Sequence, residues 1–252
     1  MLVVAAAVSA STGGTRAGFS ARCLLPQGGP TWSPPSDCAG ELLEYARGGG
    51  ADAYSAAVQA AGDAAVKWLA GQRPAPGCTE LAVFDIDETV ISNLHVLEEL
   101  DFKYDRDTWN KWVQSASAPP LAPVKAAYEA IFAAGYSVAF VTGRHGDERD
   151  ATQANLKFAG LGEQCGEAAP QCGGTREGGA SVPACYRRLV LRETPEQQAM
   201  FASTYKPQAR AVLEEELNVT VAALMGDQWS DLSGAAAGVA SFKIANPFYA
   251  IL

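Results

Sequence analysis

The chain has 252 residues, 48% hydrophobic content and a formal net charge of −9. A chain this long buries roughly 70–75% of its unfolded surface, enough for one α/β domain with an appendage. The acidic balance argues against nucleic acid or anionic membrane as a partner, since Lys and Arg drive both kinds of binding, and no apolar run approaches the roughly 20 residues of a membrane helix.

Residues 1–10 form an apolar run ending in Val8-Ser9-Ala10. That run resembles the core and cleavage site of a secretory leader but lacks a basic start, and residues 1–22 are read as signal-like. Residues 23–79 are expected to form an irregular and helical extension. Its stretch 26–38 is rich in Pro, Gly and Ser, and an Ala-rich helical region then runs to about Ala70, broken by Gly48-Gly49-Gly50. From residue 80 to the end, apolar segments at 81–86, 136–141, 187–191, 219–225 and 239–244 alternate with helical stretches at 107–117, 122–134, 146–159 and 195–216. This alternation predicts an α/β fold: a mostly parallel, doubly wound, Rossmann-like sheet with no large cap domain. Ligands in such sheets gather beyond the carboxyl ends of the strands.

The segment ends carry the chemistry. The first runs Leu81-Ala82-Val83-Phe84 into Asp85-Ile86-Asp87-Glu88-Thr89, two carboxylates one residue apart. On a continued strand both would point the same way and repel. The second ends in Thr142-Gly143-Arg144, and the fourth in Gly226-Asp227-Gln228-Trp229-Ser230-Asp231. Lys206, on the intervening helical stretch, is the cation this acidic group lacks.

Together these groups read as a magnesium site for phosphoryl transfer. Magnesium is held by a few oxygen ligands, here Asp85, Asp227 and the backbone carbonyl of Asp87. Asp231, one turn beyond Asp227, is placed to hold a metal-bound water or to anchor Lys206. Asp85 can attack phosphorus and form an aspartyl phosphate. Asp87 can protonate the leaving group and then deprotonate water, with a pKa expected to rise. Thr142, Gly143, Arg144 and Lys206 are the expected phosphate-binding groups.

The ordered set resembles the haloacid dehalogenase superfamily, and within it the plant-type class B acid phosphatases and vegetative storage proteins. The residues that carry the resemblance are Phe84-Asp-Ile-Asp-Glu-Thr-Val-Ile-Ser-Asn93, Trp112-Val113, Ala118-Pro119, Val141-Thr-Gly-Arg144, Asn155-Leu156, Leu189-Val-Leu-Arg192, Tyr205-Lys206, Gly226-Asp-Gln-Trp-Ser-Asp-Leu232, Ser241-Phe-Lys243 and Asn246-Pro247. It implies an α/β core with a helical amino-terminal extension, Mg2+ dependence and hydrolysis of small phosphate monoesters with an acidic optimum. By matching position it gives Asp85 the nucleophile role, Asp87 the acid/base role, Asp227 the metal role, and Thr142 with Lys206 the phosphate roles. Two departures stand out. Pro207 follows Lys206, so the helix should kink or begin there. Residues 162–185, rich in Cys and Gly, form an insertion expected near the active edge or beside the third strand.

Other phosphatase chemistries do not fit. Arg144-His145-Gly146 superficially matches a histidine-phosphatase signature, but Glu148 stands where a further arginine is needed, and the second histidine, His95, is not downstream of it. Two histidines are too few for a binuclear metallophosphatase, and neither a Cys-x5-Arg nor a Walker motif is present. The rivals are a storage-type protein on the same fold, which has no physical need for two crowded acids, and a phosphotransferase using the same site.

Six cysteines, at 23, 38, 78, 165, 172 and 185, fit no zinc spacing and read as disulfides, with Cys23 and Cys38 the best local pair. With the glycosylation pattern Asn218-Val219-Thr220 they point to the secretory route, extracellular or vacuolar. The natural substrate and the oligomeric state have no signal in the residues.

Overall fold

The computed structural model describes residues 2–5, 31–32, 34–48, 53–166, 171–174 and 184–251. In chain order the strands are β1 (Leu2–Ala5), β2 (Thr31–Trp32), β3 (Glu80–Phe84), β4 (Ser137–His145), β5 (Arg188–Arg192), β6 (Thr220–Gly226), β7 (Ala240–Lys243) and β8 (Ala250–Ile251). The helices are α1 (Ala39–Arg47), α2 (Tyr54–Leu69), α3 (Leu94–Glu99), α4 (Arg106–Ser115), α5 (Ala122–Ala133), α6 (Arg149–Phe158), α7 (Pro195–Ala199), α8 (Ala202–Leu217) and α9 (Trp229–Leu232). Among the described residues, six strands form one parallel sheet in the order β1-β7-β6-β3-β4-β5. β2 and β8 form a separate antiparallel pair that joins the amino-terminal extension to the end of the chain. The expected leader falls partly on β1, whose backbone pairs with β7; residues 6–22 lie outside the described set.

The chain moves outward from β3 through β4 to β5, then returns to the other side of β3 for β6 and β7. Strand order therefore reverses at β3, and that reversal opens the crevice at its carboxyl end. Period-two alternation assigns the faces. Leu81 and Val83 join a cluster with Tyr205, Ala209 and Leu213 of α8, whereas Ala82 and Phe84 pack with residues of α2, α5 and α6. Asp85 continues the Leu81/Val83 parity and so meets α8, the helix that carries Lys206. After their polar first residues, Glu80 and Thr220, β3 and β6 are buried at every position and carry no polar side chain, as a central parallel strand covered on both faces requires.

The expected helix at 195–216 is two helices. Thr194 and Gln197 form a capping box at the start of α7. The buried Arg192 then donates to the carbonyls of Gln197, Gln198 and Met200, satisfying the helix end that would otherwise propagate. The expectation that the helix begins at Pro207 is also corrected. α8 begins at Ala202, and Pro207 lies inside it, so the hydrogen bond it forfeits belongs to Ser203, an exposed residue that water can serve.

Disulfides join Cys78 to Cys172 and Cys165 to Cys185. Cys38 is disulfide-bonded, while Cys23, its expected partner, lies outside the described residues. The described parts of the insertion sit at the amino ends of the strands. Gly173 donates to the carbonyl of Tyr136, just before β4, and Gln164 bridges Tyr186, just before β5. The described residues of the insertion therefore lie beside the third core strand, at the end of the sheet away from the aspartates.

Candidate active site

At the tip of β3 the backbone leaves the extended path. The amides of Thr89, Val90 and Ile91 all point to the carbonyl of Ile86, and Glu88 takes a left-handed conformation with φ 55°. This turn separates the two acids that a continued strand would have crowded. Asp85 stays in the crevice, and Asp87 swings toward β4.

Asp85 is 5% exposed and receives Lys206 Nζ at 2.7 Å on Oδ1. Lys206 also pairs with Asp231 Oδ1. The Thr89 hydroxyl stands 3.1 Å from Asp85 Oδ2 and 3.3 Å from Asp227 Oδ1, between the two carboxylates. Asp85, Asp227 and Asp231 each bring an oxygen within 4.8 Å of the others, all three residues buried. Burial pushes the Asp85 carboxyl well above its ordinary range; Lys206 opposes the rise, and Asp231, Asp227 and Asp87 add to it. Asp231 is raised by burial as well, against Lys206. Lys206 itself is held above its usual value, since Asp231 and Asp85 outweigh the effect of burial.

Three buried carboxylates facing one ammonium leave two negative charges uncompensated, which is the charge of a divalent cation. An all-oxygen donor set is the chemistry that suits Mg2+, so the residues fit the expected ion. Of the four residues expected to bind metal, Asp85, Asp227 and Asp231 converge. Asp87 is expected to contribute only its backbone carbonyl, and its carboxylate lies apart from the three.

Asp87 lies in a clamp. Arg144 holds it with Nη2 on Oδ1 at 2.7 Å and Nε on Oδ2 at 2.9 Å, and Asn93 Nδ2 donates to Oδ1 at 2.9 Å. Burial alone would raise the Asp87 carboxyl, but Arg144 and Asn93 outweigh it and leave it below its ordinary value. The expected rise is therefore reversed. Arg144, expected to bind phosphate, has a guanidinium only 3% exposed that directs Nε and Nη2 to Asp87 and Nη1 to Thr152 Oγ1 at 3.1 Å. Thr142 and Gly143 are at the end of β4, where pairing with β5 is irregular between Val141 and His145. Thr142 is buried, and a Cβ added to Gly143 would meet nothing within 4 Å, so the backbone there borders open space.

Several site residues carried no assigned role in the sequence reading. Glu88 is fully buried; it accepts from Tyr249 Oη at 2.6 Å and from Asn93, and burial followed by the charge of Asp87 pushes its carboxyl to about 8. Arg210, one helical turn after Lys206, donates to the carbonyls of Ser230, Asp231, Ser233, Ala235 and Ala236 and so holds the loop bearing Asp231. Gly226 is required by close approach, since a Cβ there would fall 2.2 Å from that of Asp231. A buried Arg four residues after a candidate catalytic Lys was the available signal for Arg210. Glu88 had none beyond its place in the motif.

Comparison with known proteins identifies the family. The chain is 28% identical to acid phosphatase 1 of Solanum lycopersicum over 221 residues, 86% of this chain and 76% of that protein. It is 29% identical to the stem 28 kDa glycoprotein of Glycine max over 173 residues, 67% of this chain and 59% of that one. Among solved structures, the class C acid phosphatase of Bacillus anthracis with tungstate bound superposes with a TM-score of 0.57 at 18% identity, covering 85% of this chain and 86% of that one, which establishes a shared fold. The family model described as HAD superfamily, subfamily IIIB (acid phosphatase), matches residues 28–252. With the aspartates, Lys206 and the sheet in the arrangement described, the chain belongs to the HAD superfamily, subfamily IIIB, the acid phosphatases, and is a phosphoric monoester hydrolase.

Proposed function

We propose that this chain hydrolyses small phosphate monoesters in two steps through an aspartyl phosphate on Asp85, with Mg2+ held by Asp85, Asp227 and Asp231. The convergence of those three buried carboxylates on one another, with Lys206 paired to Asp85 and Asp231, is the observation that carries the reading. When bound, the ion supplies positive charge that offsets carboxylate repulsion and the charge of the phosphoryl oxygens. An Asp85 oxygen attacks phosphorus as the bond to the ester oxygen breaks, and the departing oxygen takes a proton from Asp87. Water then attacks the phosphoryl group, returns a proton to Asp87, and releases inorganic phosphate with Asp85 restored. Lys206, Thr142 and the backbone at Gly143 bind the phosphoryl oxygens, while Arg144 holds Asp87 in place. Retention of both Asp85 and Asp87 favours an enzyme over a storage-type protein. The two disulfides among the described residues support a secretory-route location.

The test is turnover of p-nitrophenyl phosphate with and without Mg2+. Asp85→Asn removes the attacking oxygen and should lower kcat at least about 10³-fold while leaving or raising thermal stability, because it relieves a crowded, buried charge. Full activity in that variant, or in excess chelator, would sink the mechanism.

A further inference from the structure

The end of the chain touches the candidate metal site at one carboxylate. Asn246 is 7% exposed and donates from Nδ2 to Asp227 Oδ2 at 2.7 Å. Gln228 Nε2 donates to the same oxygen at 2.5 Å. The other oxygen, Oδ1, is the one that faces Thr89, which in turn borders Asp85. Two amide donors on the outer oxygen therefore set the rotation of the Asp227 carboxylate and leave its inner oxygen toward the cluster. Both donors are neutral. The carboxylates of Asp85 and Asp231 share the Lys206 ammonium and that of Asp87 has Arg144, whereas the direct partners of Asp227 orient it without bringing a charge that would compete with a cation.

The orientation of Asn246 is itself built in. Its Oδ1 accepts from the backbone amides of Phe248 at 2.9 Å and Tyr249 at 3.4 Å, which fixes the amide so that Nδ2 faces Asp227. The segment that follows is anchored at three further places. Phe248 is fully buried, with its ring 5.1 Å from Tyr54 of α2 and 5.4 Å from Phe102. Tyr249 Oη donates to Glu88. The backbone of Ile251 donates to Gln228 Oε1 at 3.0 Å and pairs with β2 of the amino-terminal extension.

We infer that residues 246–251 are a strap, anchored on the amino-terminal extension, through which Asn246 acts as a positioning residue that presents Asp227 to a divalent cation. The inference rests on the Mg2+ reading of the site. Outer partners of metal ligands typically change affinity by roughly 10–100-fold when removed.

The experiment is isothermal titration of Mg2+ into the full chain, with Tm recorded for every variant and kcat taken at saturating Mg2+. Asn246→Ala should raise the Mg2+ Kd by about tenfold or more while kcat at saturating Mg2+ stays within about threefold. Ile131→Ala, a buried truncation in α5 at the amino end of the sheet, is the control: it should lower Tm and leave the Kd unchanged. If Asn246→Ala does not fold, Gln228→Ala removes the partner donor on the same oxygen and should raise the Kd in the same direction. A Kd unchanged within twofold in the folded variants, with Tm lowered as in Ile131→Ala, would overturn the inference and leave Asn246 a purely structural residue. Absence of Mg2+ binding by the unaltered chain would overturn the Mg2+ reading itself, and this inference with it.

Discussion

Asp85 and Asp87 are separated by a single residue yet have opposite electrostatics, and the difference lies in their partners. Asp85 is raised because burial and three carboxylates outweigh one ammonium. Asp87 is lowered because a bidentate guanidinium outweighs burial. A proton donor held below the ordinary carboxylate range is populated in its acid form only at low pH, so protonation of a poor leaving group falls away as pH rises. Arg144→Gln removes the cation and should move the alkaline limb of the pH profile upward by about one unit or more, read on an alkyl phosphate whose departure needs the proton. An unshifted limb would show that Arg144 does not set the titration of Asp87.

At the level of elements, α8 gathers the site from behind the sheet. Lys206 and Arg210 lie four apart on one face, the first reaching two aspartates and the second five carbonyls of the loop that carries Asp231. Burial pushes the Arg210 guanidinium down to about 10, against the pull of Asp231 and Glu214, so it remains charged at neutral pH. Arg210→Met keeps much of the volume but leaves those carbonyls without a donor. We expect a loss of about 3 kcal/mol or more in urea unfolding, together with reduced kcat as Asp231 and Lys206 lose registry. Stability within about 1 kcal/mol of the parent would mean that water replaces the guanidinium.

Across the whole molecule, the two ends of the sheet are stabilised differently. At the amino ends, the Cys78–Cys172 bridge closes a separation of 94 residues and Cys165–Cys185 one of 20. Loop-closure reasoning assigns these about 4.7 and about 3 kcal/mol in isolation. The carboxyl ends instead concentrate buried acid, and their stability depends on protonation. Glu88 sits near 8 in the fold against an ordinary value of 4.5. A carboxyl raised on folding contributes stability that is complete below its unfolded pKa and is lost as pH rises through the folded one. Asp85 and Asp231 are displaced in the same direction, and Asp87 in the opposite one. The metal-free protein should therefore weaken between pH 4.5 and 8, with Glu88 accounting for on the order of 4–5 kcal/mol. Urea midpoints across that range measure the slope, and Glu88→Gln, which mimics the protonated side chain, should flatten it. A slope unchanged in that variant would count against Glu88 as its source.

By itself, the sequence determined the parallel sheet, five of the six strands described in it, and the placement of Asp85, Asp227 and Lys206 at strand ends or on the intervening helix. Those features follow from local periodicity and from the rule that ligands collect at carboxyl edges. Tertiary structure alone decided which way each acid faces. The left-handed turn at Glu88 is set by hydrogen bonds to Ile86, Asn93 and Tyr249, so Asp87 meets Arg144 and leaves the cation site to Asp231. The roles of Arg210 and Asn246 belong there too, because their partners lie 20–26 and 19 residues away in sequence, beyond the reach of any local pattern.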